Sequence, residues 1–532
     1  MREHLEIERK YDADACLGLP SLHDVPGVSA VRGPEQLELQ AVYFDTEDLR
    51  LLRRQVTLRR REGGPDEGWH LKRPSRGGAR LELHAPLDAA PADAVPAELA
   101  CQVAAISRGA PLAPVVRMST HRRVHHLDGP DPAEGGDSFR ELAQVVEDEV
   151  VAETLGSQVG QTSSWSEIEV ELVDGDLTLL DAVERRLLAA GARPAQQASK
   201  LARVLSARLP AAPTRPLRTR LTPDSPAGEV VAGFLVGQVR RLVDHDPGAR
   251  QQTPDAVHQM RVAARRLRSV LGSYAPLFDE AATGRLREEI AWLGSQLGPL
   301  RDLEVLADLL RRQVEAQPPE LLVGPVTRRL SLELDARIRP ARERALATLD
   351  DPRYFALLDA LEAFAVTPPW TPMAAERAAD VLRPLLASSV TRVRRRAARA
   401  TTAAPVGPVP AGAVPGAPDP QQLAWHAVRR AAKQARYAAE TVEVVFGRPA
   451  SRLAEAMRGV QDVLGDQRDA TISTGLLREI GMSAHAAGEN AFTWGRLHAQ
   501  MEARASDLLE EAAPAVAAAV RKRRLSWLTS DH

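Results

Sequence analysis

The sequence predicts a multidomain α+β protein, with a strand-rich domain over residues 1–205 and an all-α domain over 223–532. Three observations predict this. Short segments of alternating apolar and polar residues recur through the first 205 positions, separated by Gly- and Pro-bearing turns. From about residue 227 the period becomes helical, and amphipathic Ala/Leu/Arg segments run to the end. Between the two lies a Pro- and Arg-rich stretch, LPAAPTRPLRTRLTPDSP (209–226), which reads as an interdomain linker, set at 206–222.

Taken in order, the predicted strands are HLEIERKY, LQAVYFDT, VTLRRRE, GWHLKRP, ARLELHAPL and SEIEVELV. THRRVHH and VVEDEVV carry strand character too. Helical patches interrupt at about 96–107 and at 177–192, and DGPDPAEGGDS (128–138) reads as an exposed hairpin loop. So many antiparallel strands in one small domain suggest a barrel or tunnel. In the helical half, the Pro/Gly/Ala stretch at 401–420 cannot pack a core and reads as a disordered loop.

The composition, 44% hydrophobic and 26% charged, is that of a soluble globular protein with sizeable cores. No run of 18 apolar residues offers a membrane span. Cys16 and Cys101 show no metal spacing and suit a reducing compartment. The N-terminus is polar from the start, so the expected location is the cytoplasm. A net charge of −2 decides little; what matters is where charges sit on each element.

In EIERK, Glu6, Glu8 and Lys10 share one strand face. Carboxylates are hard ligands suited to Mg²⁺ or Mn²⁺, and a lysine can hold a phosphate as a point charge. Arg59 and Arg61 share a face in TLRRRE, as do His70 and Lys72 in WHLKRP. Arg80, Glu82 and His84 align in ARLELH, and Glu167, Glu169 and Glu171 in SEIEVEL. Charge on a single strand ordinarily means solvent. Here the charges sort into basic strands and acidic strands, as an interior lined for a polyanion and its metal requires. The histidines at 70, 84, 121, 125 and 126 are expected to be surface or structural.

EIERK resembles the ExExK signature of the CYTH family, the triphosphate tunnel metalloenzymes. YFDT (43–46), LRRRE with GWHLKRP, and SKLARVL (199–205) support it. The resemblance implies an eight-stranded antiparallel tunnel, a divalent cation and triphosphate hydrolysis. It implies metal-side roles for Glu6 and Glu8, a further acidic role for Glu82, and phosphate-binding roles for Lys10, Arg59, Arg61, Lys72, Arg122 and Lys200. Arg123 stands beside Arg122 as an alternative. In VVEDEVV an acidic residue is implied, and Glu147 and Glu149, which share a face, are favoured over Asp148. Some of Glu167, Glu169 and Glu171 complete the metal set. Inorganic tripolyphosphate is the leading substrate. Thiamine triphosphate, nucleoside triphosphates and adenylate cyclase chemistry are family alternatives. A non-catalytic polyphosphate-binding protein is the competing class.

The helical half contains a repeat, HQMRVAARRLR and HAVRRAAKQAR. His258, Arg261, Arg265 and Arg268 align with His426, Arg429, Lys433 and Arg436. Offsets of 0, 3, 7 and 10 put each set on one helix face. Each copy is followed by LGPLRD or LGDQRD, bearing Arg301 and Arg468. No acid occurs in 256–278 or 420–439, so each stripe lacks a local counter-charge and points to an anionic ligand. The pattern resembles the CHAD domain, which implies two pseudo-symmetric helical bundles and a basic surface or pore that binds inorganic polyphosphate at those ten residues. TRVRRRAAR (391–399) and RKRR (521–524) are candidates to extend the basic surface. Scarce aromatics among the basic residues argue against nucleic acid.

Overall fold

A computed structural model describes residues 2–13, 17–74, 79–130, 139–156, 160–209, 220–403 and 420–529. Most of the predicted loop at 128–138, of the linker and of the stretch at 401–420 lies outside the described residues, as does Cys16. The chain divides into two compact units, Met1–Ala212 and Pro213–His532.

The first unit is built on one antiparallel sheet. Its strands are β1 (Arg2–Glu6), β2 (Glu8–Ala13), β3 (Ala30–Asp45), β4 (Thr57–Glu62) and β5 (Gly68–Pro74). They continue with β6 (Arg80–Ala85), β7 (Ala113–Pro130), β8 (Phe139–Thr154), β9 (Thr162–Leu172) and the dipeptide β10 (Arg193–Pro194). The order is β1-β6-β5-β4-β3-β7-β8-β9-β2-β10. Only Ile7 separates β1 from β2, so residues 2–13 form one kinked strand. Its first half pairs with β6 and its second half with β9, and this closes the sheet into a barrel. Counted that way there are nine strands among the described residues, not the eight implied by the family resemblance. The addition is β10, which pairs only with Tyr11 and Asp12.

The barrel is polar within and apolar without over much of its wall, the reverse of an ordinary barrel. After the short helix α1 (Arg50–Arg53), helix α2 (Ala97–Ser107) covers one outer face, setting Leu99 and Val103 on Phe44, Trp69, Leu71 and Leu83. Helix α3 (Leu177–Ala190) covers another, with Leu179, Leu180, Val183 and Leu187 against Tyr11, Val145, Ile168 and Val170. The Asp176 side chain caps α3 by accepting from the backbone N–H groups of Thr178 and Leu179, both at 3.0 Å. A third core joins Leu201 and Leu205 of α4 (Lys200–Leu205) to Ala41, Tyr43, Val116, Met118, Val150 and Ala152. Apolar packing thus fixes α4 against the strand face whose charged residues are described below.

The second unit is helical. α5 (Ala227–Asp244), α7 (Ala256–Ser273), α8 (Glu280–Glu315), α9 (Val326–Leu349) and α10 (Pro352–Val366) make the first bundle; α6 is the short helix Asp246–Arg250. α11 (Ala378–Thr402), α12 (Pro420–Phe446), α13 (Arg448–Ala486) and α14 (Phe492–Ala519) make the second. Residues 401, 402 and 420, predicted as loop, are helical. The pseudo-symmetry shows where α5 and α11 begin. Ala227 N–H donates to Glu376 O and Ala378 N–H to Ser225 O, both at 2.8 Å. No helix among the described residues is long and apolar enough to cross a membrane.

Leu201 is fully buried in the core beneath α4. Leu201→Ala should lower the stability of the first unit by about 2–5 kcal/mol. Urea unfolding followed on the strand signal measures this, and an unchanged midpoint would contradict the packing described.

Candidate functional site

Glu6 of the kinked N-terminal strand meets a strand that is not its neighbour, which places its side chain inside the barrel. Lys72 Nζ on β5 reaches both carboxylate oxygens of Glu6 at 2.6 Å and Glu82 at 3.5 Å. Lys10 Nζ lies 2.9 Å from Glu8 and also donates to Glu169. Arg9, on the opposite face, pairs outside the barrel with Asp181 and Glu184 of α3. Arg122 makes a two-pronged contact with Asp148, at 2.8 and 2.6 Å, and reaches Glu169 at 3.3 Å. Lys200 Nζ sits on Asp148, Glu167 and Glu169 at 2.9, 2.6 and 2.7 Å. Those three carboxylates form the one trio among the described residues with ligand oxygens within 4.8 Å of one another.

The trio already holds a cation, the Lys200 ammonium. Burial favours the protonated form of Glu169, but Lys10, Lys200 and Arg122 outweigh it and hold the carboxyl well below its usual value. Glu171 is different. Burial and the nearby charges of Glu6 and Glu8 push its carboxyl up to about 7. It faces Glu8 directly across the β2–β9 pair. Glu6 is paired with Lys72 and Glu8 with Lys10 and Arg80, so Glu171 is the carboxyl short of positive charge, and the hard oxygen donors of the three are of the type that suits a divalent cation.

The basic side shows the opposite imbalance. Arg59 donates to the Tyr43 hydroxyl at 3.4 Å, while its Nε and that of Arg61 are buried without a hydrogen-bond partner. Burial, then Arg59 and Arg122, push the Arg61 guanidinium down to about 9, although it also contacts Asp66. His70 is buried, with Nδ1 2.7 Å from Glu82 Oε1. Burial pushes its pKa down to about 3, so a neutral ring orients Glu82.

One expectation is corrected. Glu147 binds Arg123 and His125 away from this network, and Glu149 is exposed. Asp148 is the buried acid of β8. The strand's own alternation carries the reason. Val146, Asp148, Val150 and Ala152 share the more apolar face, which here is the interior. Arg122 belongs to the interior network and Arg123 does not. Sequence reasoning missed Tyr43 as a partner of Arg59 and His70 as a partner of Glu82.

In the helical unit the two stripes converge. The charges acting on Lys433 are Arg429 on its own helix, Arg265 and Arg261 on α7, and Arg468 on α13. Burial, followed by these four, pushes its ammonium down to about 6. Arg261 bonds Asp302 and the Gly298 carbonyl, each at 3.0 Å. Glycine in the LG pair makes room for the guanidinium: a Cβ on Gly465 would lie 3.2 Å from Arg429 Nη2, and one on Gly298 would lie 3.7 Å from Arg261 Nη2. His258 lies beside Arg301, Arg265 and Arg261, and His426 beside Arg468, Arg430 and Arg429. Arg268 is exposed next to Arg265. Arg436 departs from expectation, because its guanidinium is held by Glu440 at 2.7 Å and contacts Gln461. Arg266 shares Glu440, at 2.9 Å.

Residues 4–204 match the CYTH domain model and residues 233–478 the CHAD domain model. Two Mycobacterium tuberculosis proteins, named uncharacterized protein MT2285 and uncharacterized protein Rv2226, are each 38% identical over 536 residues, covering 98% of both chains. This chain belongs to the CYTH–CHAD proteins. Solved structures similar to part of this chain include PptA from Streptomyces chartreusis (25% identity, TM-score 0.43, 55% of this chain and 99% of that one). It is also similar to the CHAD domain from the plant Ricinus communis (24% identity, TM-score 0.43, 58% and 98%).

The Glu171 shift fixes a pH dependence for the CYTH domain. A carboxyl raised in the folded state supports folding most below its ordinary value of 4.5, and that support is lost as pH rises to about 7. In EDTA, the unfolding temperature of the CYTH domain should fall across this window. Glu171→Gln should flatten the fall, and an identical profile in the variant would refute the crowding of Glu6, Glu8 and Glu171.

Proposed function

We propose that the CYTH domain is a metal-dependent triphosphatase acting on inorganic tripolyphosphate or a related triphosphate, and that the CHAD domain binds inorganic polyphosphate. One observation carries the first part. A single enclosed interior holds one carboxyl, Glu171, short of positive charge beside Glu6 and Glu8, and buried guanidiniums short of acceptors. A triphosphate with a divalent cation would satisfy both at once.

In this reading Glu6, Glu8 and Glu171 hold Mg²⁺ or Mn²⁺. Bound there, the cation would screen phosphate oxygens and lower the pKa of a coordinated water. Arg59, Arg61 and Arg122 take the oxygens of the phosphate under attack, presenting fixed donors where charge develops. Lys10 and Lys72, which bond carboxylates in the free protein, are point charges able to turn to the remaining phosphates. Lys200 keeps Asp148, Glu167 and Glu169 neutralised, and Asp148 orients Arg122. His70 fixes Glu82, so that Glu82 steadies Lys72 without competing for the substrate.

For the CHAD domain, the support is a buried Lys433 with cationic groups from both repeats drawn around it; burial and then those charges push its ammonium down to about 6. An anion arriving there would restore the ammonium, so retention should strengthen as pH falls toward 6.

Phosphate release from tripolyphosphate with Mg²⁺ or Mn²⁺ tests the catalytic reading. The unaltered protein should hydrolyse it, and Glu6→Gln/Glu8→Gln should not. Arg59→Ala should slow turnover roughly a hundredfold, one lost donor costing on the order of 3 kcal/mol. No release from any triphosphate would leave polyphosphate binding as the function of both domains.

A further inference from the structure

The two halves of the CHAD domain are not equally charged. Position four of the repeat is Val262 in the first copy and Arg430 in the second. Position eight is Arg266, neutralised by Glu440, in the first and the uncharged Gln434 in the second. The flanking helices differ in the same sense. α5 carries Arg240 and Arg241 against Glu229 and Asp244, whereas α11 carries arginines at 383, 392, 394, 395, 396 and 399 against Asp380 alone.

These departures meet at one place. Arg430 is exposed and lies beside His426 of the central site, Arg268 of α7 and Arg396 of α11. The charges acting on Arg268 are Arg265, Arg287 and Arg430, and those acting on Arg396 are Arg430, Arg392, Arg395 and Arg399; all are cations. Arg396 is anchored by a 3.0 Å bond to the Ala427 carbonyl, and Arg392 by a 3.2 Å bond to Gln434. Both bonds go to neutral acceptors, so the fixed guanidiniums keep their charge unmatched. A row of arginines therefore runs from the central site, through Arg430, across α12 onto α11. On the other side, Glu440 closes off Arg436 and Arg266.

We propose that this row is a one-sided extension of the central site, which takes up the continuing phosphates of a long polyphosphate chain. The inference rests on the reading of the CHAD domain as a polyphosphate binder and adds length selection to it. A short oligophosphate is held among Arg261, Arg265, Arg429 and Lys433. Only a long chain reaches Arg430, Arg396 and Arg392, and each cation it meets adds to affinity and to the salt dependence. A flexible chain of tetrahedral phosphates suits the exposed Arg430 and the half-buried Arg392 and Arg396, which have no aromatic platform interleaved, whereas single-stranded nucleic acid gains from such platforms.

The test is calorimetric titration of the full-length protein in EDTA, which stops hydrolysis, with a short oligophosphate and with long-chain polyphosphate. Arg392→Glu/Arg396→Glu should weaken long-chain binding about tenfold at low salt and flatten its salt dependence. Short-chain binding by the same variant should not change. Arg430→Val, which copies the first repeat, is a milder second variant and should shift long-chain binding in the same direction. Equal losses for both lengths, or no loss for either, would overturn the extension while leaving the central site standing. Failure of the unaltered protein to bind any polyphosphate would remove the underlying reading itself. Single-stranded RNA that competes as well as long polyphosphate would also overturn the assignment.

Discussion

Charge buried inside a protein must be matched, and that constraint governs the barrel. Removing an ion from water costs several kcal/mol even after relaxation. The interior nevertheless holds Lys200 on three carboxylates, Arg122 on Asp148, and Lys72 on Glu6. Each pairing offsets a cost that the apolar cores beneath α2, α3 and α4 must otherwise carry. Lys200 is central among them. By occupying Asp148, Glu167 and Glu169 it removes that trio from competition for a metal. The carboxyl left short of charge is then Glu171, beside Glu6 and Glu8, which Lys72 and Lys10 hold. The cations left short of acceptors are Arg59 and Arg61.

The same principle operates in reverse in the helical unit. There the counter-charges are few, and the central groups lower their own charge: burial first, then Arg429, Arg265, Arg468 and Arg261 around it, push the Lys433 ammonium down. In the proposed reading, a binding site for a polyanion is thus built as a deficit. The protein holds cations together that repel one another, and helix packing sustains the arrangement. The Tyr274 hydroxyl, buried between α7 and α12, donates to the Ala438 carbonyl at 2.8 Å and helps lock the two repeats together.

Much of this was legible in the sequence, for reasons specific to particular residues. Period-two alternation exposed the faces of EIERK, TLRRRE and SEIEVEL, and the 0, 3, 7, 10 spacing exposed both basic stripes. Charge counted without packing misled at VVEDEVV. There the inward acid, Asp148, lies on the apolar-looking face, and two glutamates on the other face drew the eye. Closure of the barrel by a single kink at Ile7 leaves no local signal, because it depends on pairing with two distant strands. The capture of Arg436 by Glu440 was overlooked because the acid lies just past the acid-free window. Arg430 does not fall on the shared repeat positions, and its importance lies in breaking the symmetry.

The most direct measurement is a crystal structure of the protein grown with tripolyphosphate and Mn²⁺, recorded where manganese scatters anomalously. The account predicts an anomalous peak bounded by Glu6, Glu8 and Glu171, with phosphate density against Arg59, Arg61 and Arg122 and Lys200 still seated on its trio. A peak on Asp148, Glu167 and Glu169 with Lys200 displaced, or phosphate bound outside the barrel, would contradict it.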